Sequence, residues 1–163
     1  MIATRFAVSL HILTLVAHGP TEQSTSARLA WSIGTNPVVV RRLSGLLARA
    51  GLITVQRGSG GASLARAANG ITLRDVWRAI HPEREKLLHV HARTNQACSV
   101  GQRLPGLLRA RFEAAEAALL NNLAGTTLAD LVASQEAGEL DSTGSAGFGS
   151  PRAVDLAQAA GAD

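Results

Sequence analysis

A mainly α fold with one small β-hairpin is what this sequence predicts, and three observations carry it. Apolar residues recur at helical spacing along most of residues 4–50 and again from 99 to 137. Two short strand-like runs, 52–56 and 62–66, flank a glycine-rich tip, Arg57-Gly58-Ser59-Gly60-Gly61. Start and stop residues punctuate each segment. Aromatics make up only 3% of a chain that is 46% apolar, so the core must be built from Leu, Val and Ala.

The first helix is expected over Thr4 to Ala17, with Phe6, Leu10, Leu13 and Ala17 as its buried stripe. Arg5 followed by FAVSLHILTLVA has some features of a signal peptide. Ser9, His11 and Thr14 interrupt it at spacings better suited to an amphipathic helix. Gly19-Pro20 ends this helix. Ser24-Thr25-Ser26 offers hydroxyl caps for a short helix, Ala27 to Ser32, and Gly34 makes the turn. Asn36-Pro37 is a strong start signal, because Asn caps and Pro at the first helical position gives up an amide that has no partner there. That helix runs to Ala50 and stops at Gly51.

Thr72 with Asp75 opens a helix from Leu73 to Ile80, closed by Pro82. Residues 83–98 carry no clear pattern. A long helix from Ser99 to about Leu123 is expected, bent or broken near Pro105-Gly106, and Thr127 with Asp130 opens a last helix to about Ala137. The spacing thus divides the chain into a head, residues 1–80, a linker or sensor loop, 81–98, and a pair of helices, 99–137. The Gly/Ser/Ala-rich residues 138–163 lack the apolar content of a packed segment and are expected to be disordered.

Charge is split along the chain. Residues 1–111 hold 15 Lys and Arg against four acids (Glu22, Asp75, Glu83, Glu85), a net of +11, whereas residues 112–163 hold one Arg against eight acids, a net of −7. A basic front suits a polyanion, since neutralising phosphates supplies much of nucleic-acid affinity. In the helix from Pro37, the expected inward face is Val39, Leu43, Leu46, Leu47 and Ala50, leaving Val38, Arg41, Arg42, Gly45 and Arg49 outside. Outward arginines can fork onto guanine edges or phosphates in a major groove, and the small Ser44 and Gly45 would allow close approach. Arg57 beside glycines suits insertion into a minor groove. With this double-stranded DNA surface go Ser24, Thr25, Ser26 and Arg28 around the start of the short helix, Thr35, Asn36, Pro37, Val38, Arg41, Arg42 and Arg49, and at the tip Arg57, Gly58, Ser59, Gly60 and Gly61. The pattern is that of a winged helix-turn-helix DNA-binding domain. Trp31 and Trp77 are expected in packing positions.

The segments RFAVSLHILTLVA, TNPVVVRRLSGLLARAGLI, RGSGGASLAR, ITLRDVWRAI and NQACSVG, in this order and separation, resemble the Rrf-type winged-helix regulators of bacteria, the family of IscR, NsrR and CymR. The likeness covers about residues 1–137, and its TNPVVVRRL form is closest to the branch with one cysteine in an N-x-x-C-x-V-G motif. It implies a homodimeric transcription regulator, usually a repressor, that reads an inverted repeat and pairs through the long helix from Ser99. The helix carrying Asn36, Pro37, Val38, Arg41 and Arg42 would enter the major groove, and the wing around Arg57, Gly58, Gly60 and Gly61 the minor groove. Cluster-binding members place three cysteines where this chain, between Ile80 and Arg103, has only Cys98. Thiolates are the usual cluster ligands, so no cofactor is expected. An iron–sulfur regulator with histidine ligands (His11, His81, His89, His91) is the variant reading, weakened because Ala7, one turn before His11, cannot ligate.

A single cysteine excludes an internal disulfide framework and fits a reducing cytoplasm. Cys98 stands just before the long helix, whose positive end would favour its thiolate, with Arg93 and Arg103 nearby. A redox or electrophile sensor and an inert packed thiol are both compatible with that position. His81, His89 and His91 match no defined zinc spacing and read as solvated loop histidines. No run is long and apolar enough for a membrane span. No nucleophile elbow, phosphate loop or carboxylate pair points to an enzyme. The competing class is a protein-interaction winged helix that uses its basic residues only for solubility.

Overall fold

A computed structural model describes residues 2–56, 61–81, 86–91, 93–95 and 97–141 of the 163-residue chain. The order is α1 (Ile2–His18), a 3-10 turn (Thr21–Gln23), α2 (Ser26–Ile33), α3 (Pro37–Arg49), β1 (Ile53–Val55), β2 (Ala62–Leu64), a second 3-10 turn (Ala68–Gly70), α4 (Leu73–Ile80), α5 (Ser99–Ala124) and α6 (Leu128–Asp141). The expected class therefore holds: a mostly helical chain with a single antiparallel hairpin among its described residues, paired Ile53 to Leu64, Thr54 to Ser63 and Val55 to Ala62.

The stop and start chemistry works as the sequence implies. Gly34 and Gly51 both adopt φ 69, the left-handed conformation that ends α2 and turns the chain out of α3. The Asn36 side chain accepts from the Val38 amide at 2.8 Å, with Pro37 at the first helical position. Thr25, rather than Ser24 or Ser26, caps α2.

One core is assembled from all the elements of the head. Ile12, Leu13 and Val16 of α1, Leu29 and Ala30 of α2, Val40, Leu43 and Leu47 of α3, Leu52 and Ile53 of the hairpin, and Val76 and Ile80 of α4 are buried together. The centre of α1 is Ser9, Ile12, Leu13 and Val16. The expected Phe6, Leu10 and Ala17 are half-buried at its margin. Arg5 donates to the Ile80 carbonyl at 3.2 Å and closes the end of α4.

Leu128 of α6 is fully buried in that same cluster. The starts of α4 and α6 are sewn together, because Leu73 N donates to Thr126 O at 2.9 Å and Leu128 N to Ile71 O at 2.8 Å. Both helices open on reciprocal caps, Thr72 with Asp75 and Thr127 with Asp130. The last helix thus returns to the head and packs on α1, so the division drawn at residue 80 is not a boundary in packing.

Two expected limits change. α5 runs unbroken through Pro105 over 26 residues. Proline removes one amide donor, and the bonds of the neighbouring turns carry the helix across it. α6 continues to Asp141, four residues into the expected tail, and residues 142–163 lie outside the described residues. No described helix is long and apolar enough to cross a membrane.

The Thr72–Asp75 cap yields a stability prediction. Burial raises the Asp75 carboxyl, but bonds from the Thr72 amide and hydroxyl, with Arg66 and Arg74 nearby, outweigh it and hold the pKa below the usual carboxylate value. A depressed folded pKa means that the contribution is present above the unfolded value, about 4, and is lost as pH falls through the folded one. Thr72→Ala should cost about 1 kcal/mol in thermal or urea unfolding at neutral pH. Asp75→Asn should destabilise at neutral pH, and its difference from wild type should shrink on acidification below about pH 4. A pH-independent difference would contradict this account of the cap.

Candidate nucleic-acid interface

α3 is amphipathic, and its burial decides which residues face out. Val40, Leu43, Ser44 and Leu47 are buried, whereas Val38 is 60% exposed, Val39 40%, and Arg41, Arg42, Arg49 and Ala50 are exposed. This corrects the expected inner face by one position, since Val40 replaces Val39 and Ala50 lies outside. Three successive valines fit either register of a 3.6-residue period, and packing of Val40 against α1 and α2 selects between them. Ser44 is buried, so it cannot provide close approach at the surface. Val39 is the residue that periodicity missed, and it adds a second branched apolar side chain to the start of the exposed face.

The start of α2 joins this face. Arg41 Nη1 donates to Ser26 Oγ at 3.4 Å, across the turn made by Gly34 and Thr35. Thr25 accepts from the Arg28 amide at 3.4 Å. Ser24 is buried, so of the three hydroxyl residues Thr25 and Ser26 are the ones at least partly accessible. Trp31, expected in packing, is 57% exposed on α2, because Leu29 and Ala30 take the inner positions.

The tip residues Arg57, Gly58, Ser59 and Gly60 lie outside the described residues. Gly61 is described and buried, with φ 71. A Cβ there would overlap the Thr21 carbonyl, so the base of the wing sits directly on the 3-10 turn that precedes α2. Gln56 N donates to Gly61 O at 3.0 Å and closes the stem. Gly61 therefore fixes the attachment of the wing rather than offering a contact surface. The glycine-rich composition marked the turn, but could not say which glycine required positive φ.

Cys98 is exposed and stands at the N-cap position of α5, without a side-chain capping hydrogen bond. The Asn95 carbonyl accepts from its amide at 3.1 Å, and the Asn95 side chain accepts from Ala97 N at 2.9 Å. A Cβ on Gly101 would press within 2.6 Å of that same carbonyl. The N-x-x-C-x-V-G spacing is thus a turn folded tightly onto a helix start. Amides of Gly101 and Val100 lower the thiol pKa, and neither Arg93 nor Arg103 is among the causes. His89 and His91 are exposed, whereas His81 is buried and stacks on Trp77 at 4.9 Å, which corrects its reading as a solvated loop residue. Trp77 is buried as expected, edge-on to Phe6.

A helix-turn-helix with its second helix exposed along a basic face, followed by a hairpin, defines a winged helix-turn-helix protein of the transcription-regulator class. The Rrf2 family model, described as an iron-dependent transcriptional regulator, matches residues 2–134, and the chain belongs to the Rrf2 family. It is 39% identical over 132 residues to YwnA of Bacillus subtilis (strain 168), provisionally assigned as an HTH-type transcriptional regulator, in a match covering 81% of this chain and 97% of YwnA. A crystal structure provisionally assigned as a DNA binding protein is 35% identical, with a TM-score of 0.64, covering 78% of this chain and 97% of that one. A provisionally assigned transcriptional regulator from Lactobacillus plantarum is 26% identical, with a TM-score of 0.66, covering 87% and 99%. Two of these relatives are described as transcriptional regulators and the third as a DNA binding protein.

Iron enters through the family description, and the donor set here does not fit a cluster. The chain has one cysteine, and among the described residues no group of three or more His, Cys, Asp or Glu side chains could hold a metal. Ala7 and His11 are both exposed on α1, and only the histidine has a donor atom.

An exposed, amide-stabilised thiol should be alkylated by iodoacetamide in the folded protein without denaturant. The pH midpoint of that reaction should fall below the free-thiol value of about 8.5. Slow modification that requires unfolding would contradict the exposed position of Cys98.

Proposed function

We propose that this protein is a homodimeric repressor that reads an inverted repeat in double-stranded DNA through α3. The observation that carries the reading is the two-sided character of that helix. Val40, Leu43 and Leu47 anchor it in the core, so Arg41, Arg42 and Arg49 are left on the solvent side together with Val38 and Val39. Arginines in that position suit guanine edges and phosphates, and the valine methyls suit the C5-methyl of thymine. Thr25, Ser26, Arg28, Thr35 and Asn36 border the same face, and Arg57 and its glycine neighbours would supply the wing contact.

The dimer is supported by the apolar face that α5 leaves uncovered. Val100, Leu104 and Leu107 are exposed along one side of the helix, and Ala114 and Ala118 continue that side. A second copy is the partner that symmetry supplies most simply, and two heads would then address two half-sites. Cys98 lies at the start of this helix, where its oxidation or alkylation would act on the pairing surface. It is the thiol through which an oxidant or electrophile would release the protein from DNA.

Binding to a duplex should weaken steeply with salt. Arg41→Ala and Arg42→Ala should each lower affinity, and for each arginine that contacts a phosphate the log–log salt slope should fall by about 1. Salt-insensitive binding, or slopes unchanged in both variants, would favour the competing protein-interaction module. Leu107→Glu should convert the dimer to a monomer in analytical ultracentrifugation while circular dichroism stays helical. A dimer that survives this charge would remove α5 from the interface.

A further inference from the structure

A cavity of about 260 Å3 lies between the end of α4, the segment around Leu87, and α5, away from the face described above. Its volume approaches the lower end of small-molecule sites, which is about 300 Å3. Trp77, Leu87, Leu119 and Leu120 give it an apolar lining. The Trp77 and His81 rings are stacked 16° from parallel, and Phe6 meets the indole edge-on, so the aromatic residues of the lining are held in fixed orientations.

Two polar groups in the lining are uncommitted. His81 is only 9% exposed, and its Nε2 is buried without a hydrogen-bond partner among the described residues. A buried polar atom left unpaired is destabilising, and this one lies beneath the ring surface that borders the cavity. Arg78 is exposed and contributes the one Lys or Arg charge among the described lining residues. The negative group among the described lining residues is already engaged, because Glu116 Oε1 accepts from the amides of Leu87 and Leu88 at 2.8 and 3.0 Å. Lys86 bonds Glu113 at 2.7 Å beside it, and these two ties hold the segment against α5 and shape the cavity.

We propose that this cavity binds a small planar aryl carboxylate. Its ring would lie among Trp77, Leu87, Leu119 and Leu120, with its carboxylate toward Arg78. An amine is disfavoured by the guanidinium, and a bulky saturated ring matches the flat aromatic wall less well. α4 packs on α3 as well as on α5, so the bound acid would sit one helix from the reading helix. Only that regulatory consequence rests on the DNA-binding reading; binding itself does not.

The test uses the full chain carrying Trp31→Phe, which leaves Trp77 as the one indole. Sodium benzoate is titrated against its fluorescence, with benzylamine and cyclohexanecarboxylate as controls. The proposal expects a saturable change with benzoate, none with benzylamine, and weaker binding of the saturated acid. Arg78→Gln should weaken benzoate about tenfold, as loss of a charge-assisted bond does. Leu119→Phe, which fills the cavity from its partly exposed side, should abolish binding. Both sites have room at the surface, so folding is preserved and can be checked by the melting temperature. No saturable change, equal response to benzylamine, or benzoate binding untouched by both substitutions would overturn the proposal. Equal affinity for cyclohexanecarboxylate would overturn its aromatic part.

Discussion

The burial of Val40, Leu43 and Leu47 in the core that α3 shares with α1 and α2 is the constraint that decides which side of α3 is exposed. An α-helix carries its residues at fixed angles, so anchoring one stripe dictates the direction of every other side chain. Arg41, Arg42 and Arg49 are exposed because the leucines between them are not. Each of these buried side chains is worth on the order of 1.5–3 kcal/mol, far more than an exposed arginine could recover by turning inward. The same rigidity extends to the wing. Gly61 lets β2 lie directly on the turn before α2, which couples the hairpin to the two helices that precede it.

A second constraint joins the rear of the chain to this head. The isolated antiparallel bridge between Thr72 and Thr127, with its flanking backbone bonds at Leu73 and Leu128 and a capped helix after each side, brings α6 back onto α1. α5 is therefore tethered at its far end while its near end begins at the Asn95–Cys98 turn. The helix that bears the uncovered apolar face is thus held to the head through α4 as well as through α6, and the Trp77–His81 stack lies at that junction. Among the described residues Cys98 has no partner cysteine and stands in no group of three or more metal-ligating side chains, although the family is described as iron-dependent.

Element ends were legible in the sequence because their chemistry is local. Asn36-Pro37, Thr72 with Asp75, Thr127 with Asp130, Gly34 and Gly51 each act within one turn of backbone, and each performs the predicted task. Faces were less legible, since they depend on neighbours remote in sequence. The Val38-Val39-Val40 run gave two registers, and Trp31, a large apolar residue, stays outside because its smaller neighbours Leu29 and Ala30 fit the space. His81 was hidden for the same reason. Nothing around it in the chain announces that Trp77, one turn earlier, will stack on it. Among the candidate site residues, the arginines of α3 were legible from charge and period. The inward roles of Ser24, Ser44 and Gly61 were not, because small residues carry no signal of what approaches them.

Contact with DNA through α3 and its borders can be tested residue by residue. The most direct measurement is the amide spectrum of isotopically labelled protein titrated with a short duplex of arbitrary sequence at low salt, where non-specific binding is strong. If α3 meets the duplex, shifts should concentrate between Thr25 and Arg49 and along the hairpin, with the uncovered side of α5 unchanged. Shifts confined to α5 and α6, with Asn36 to Arg49 unmoved, would contradict it.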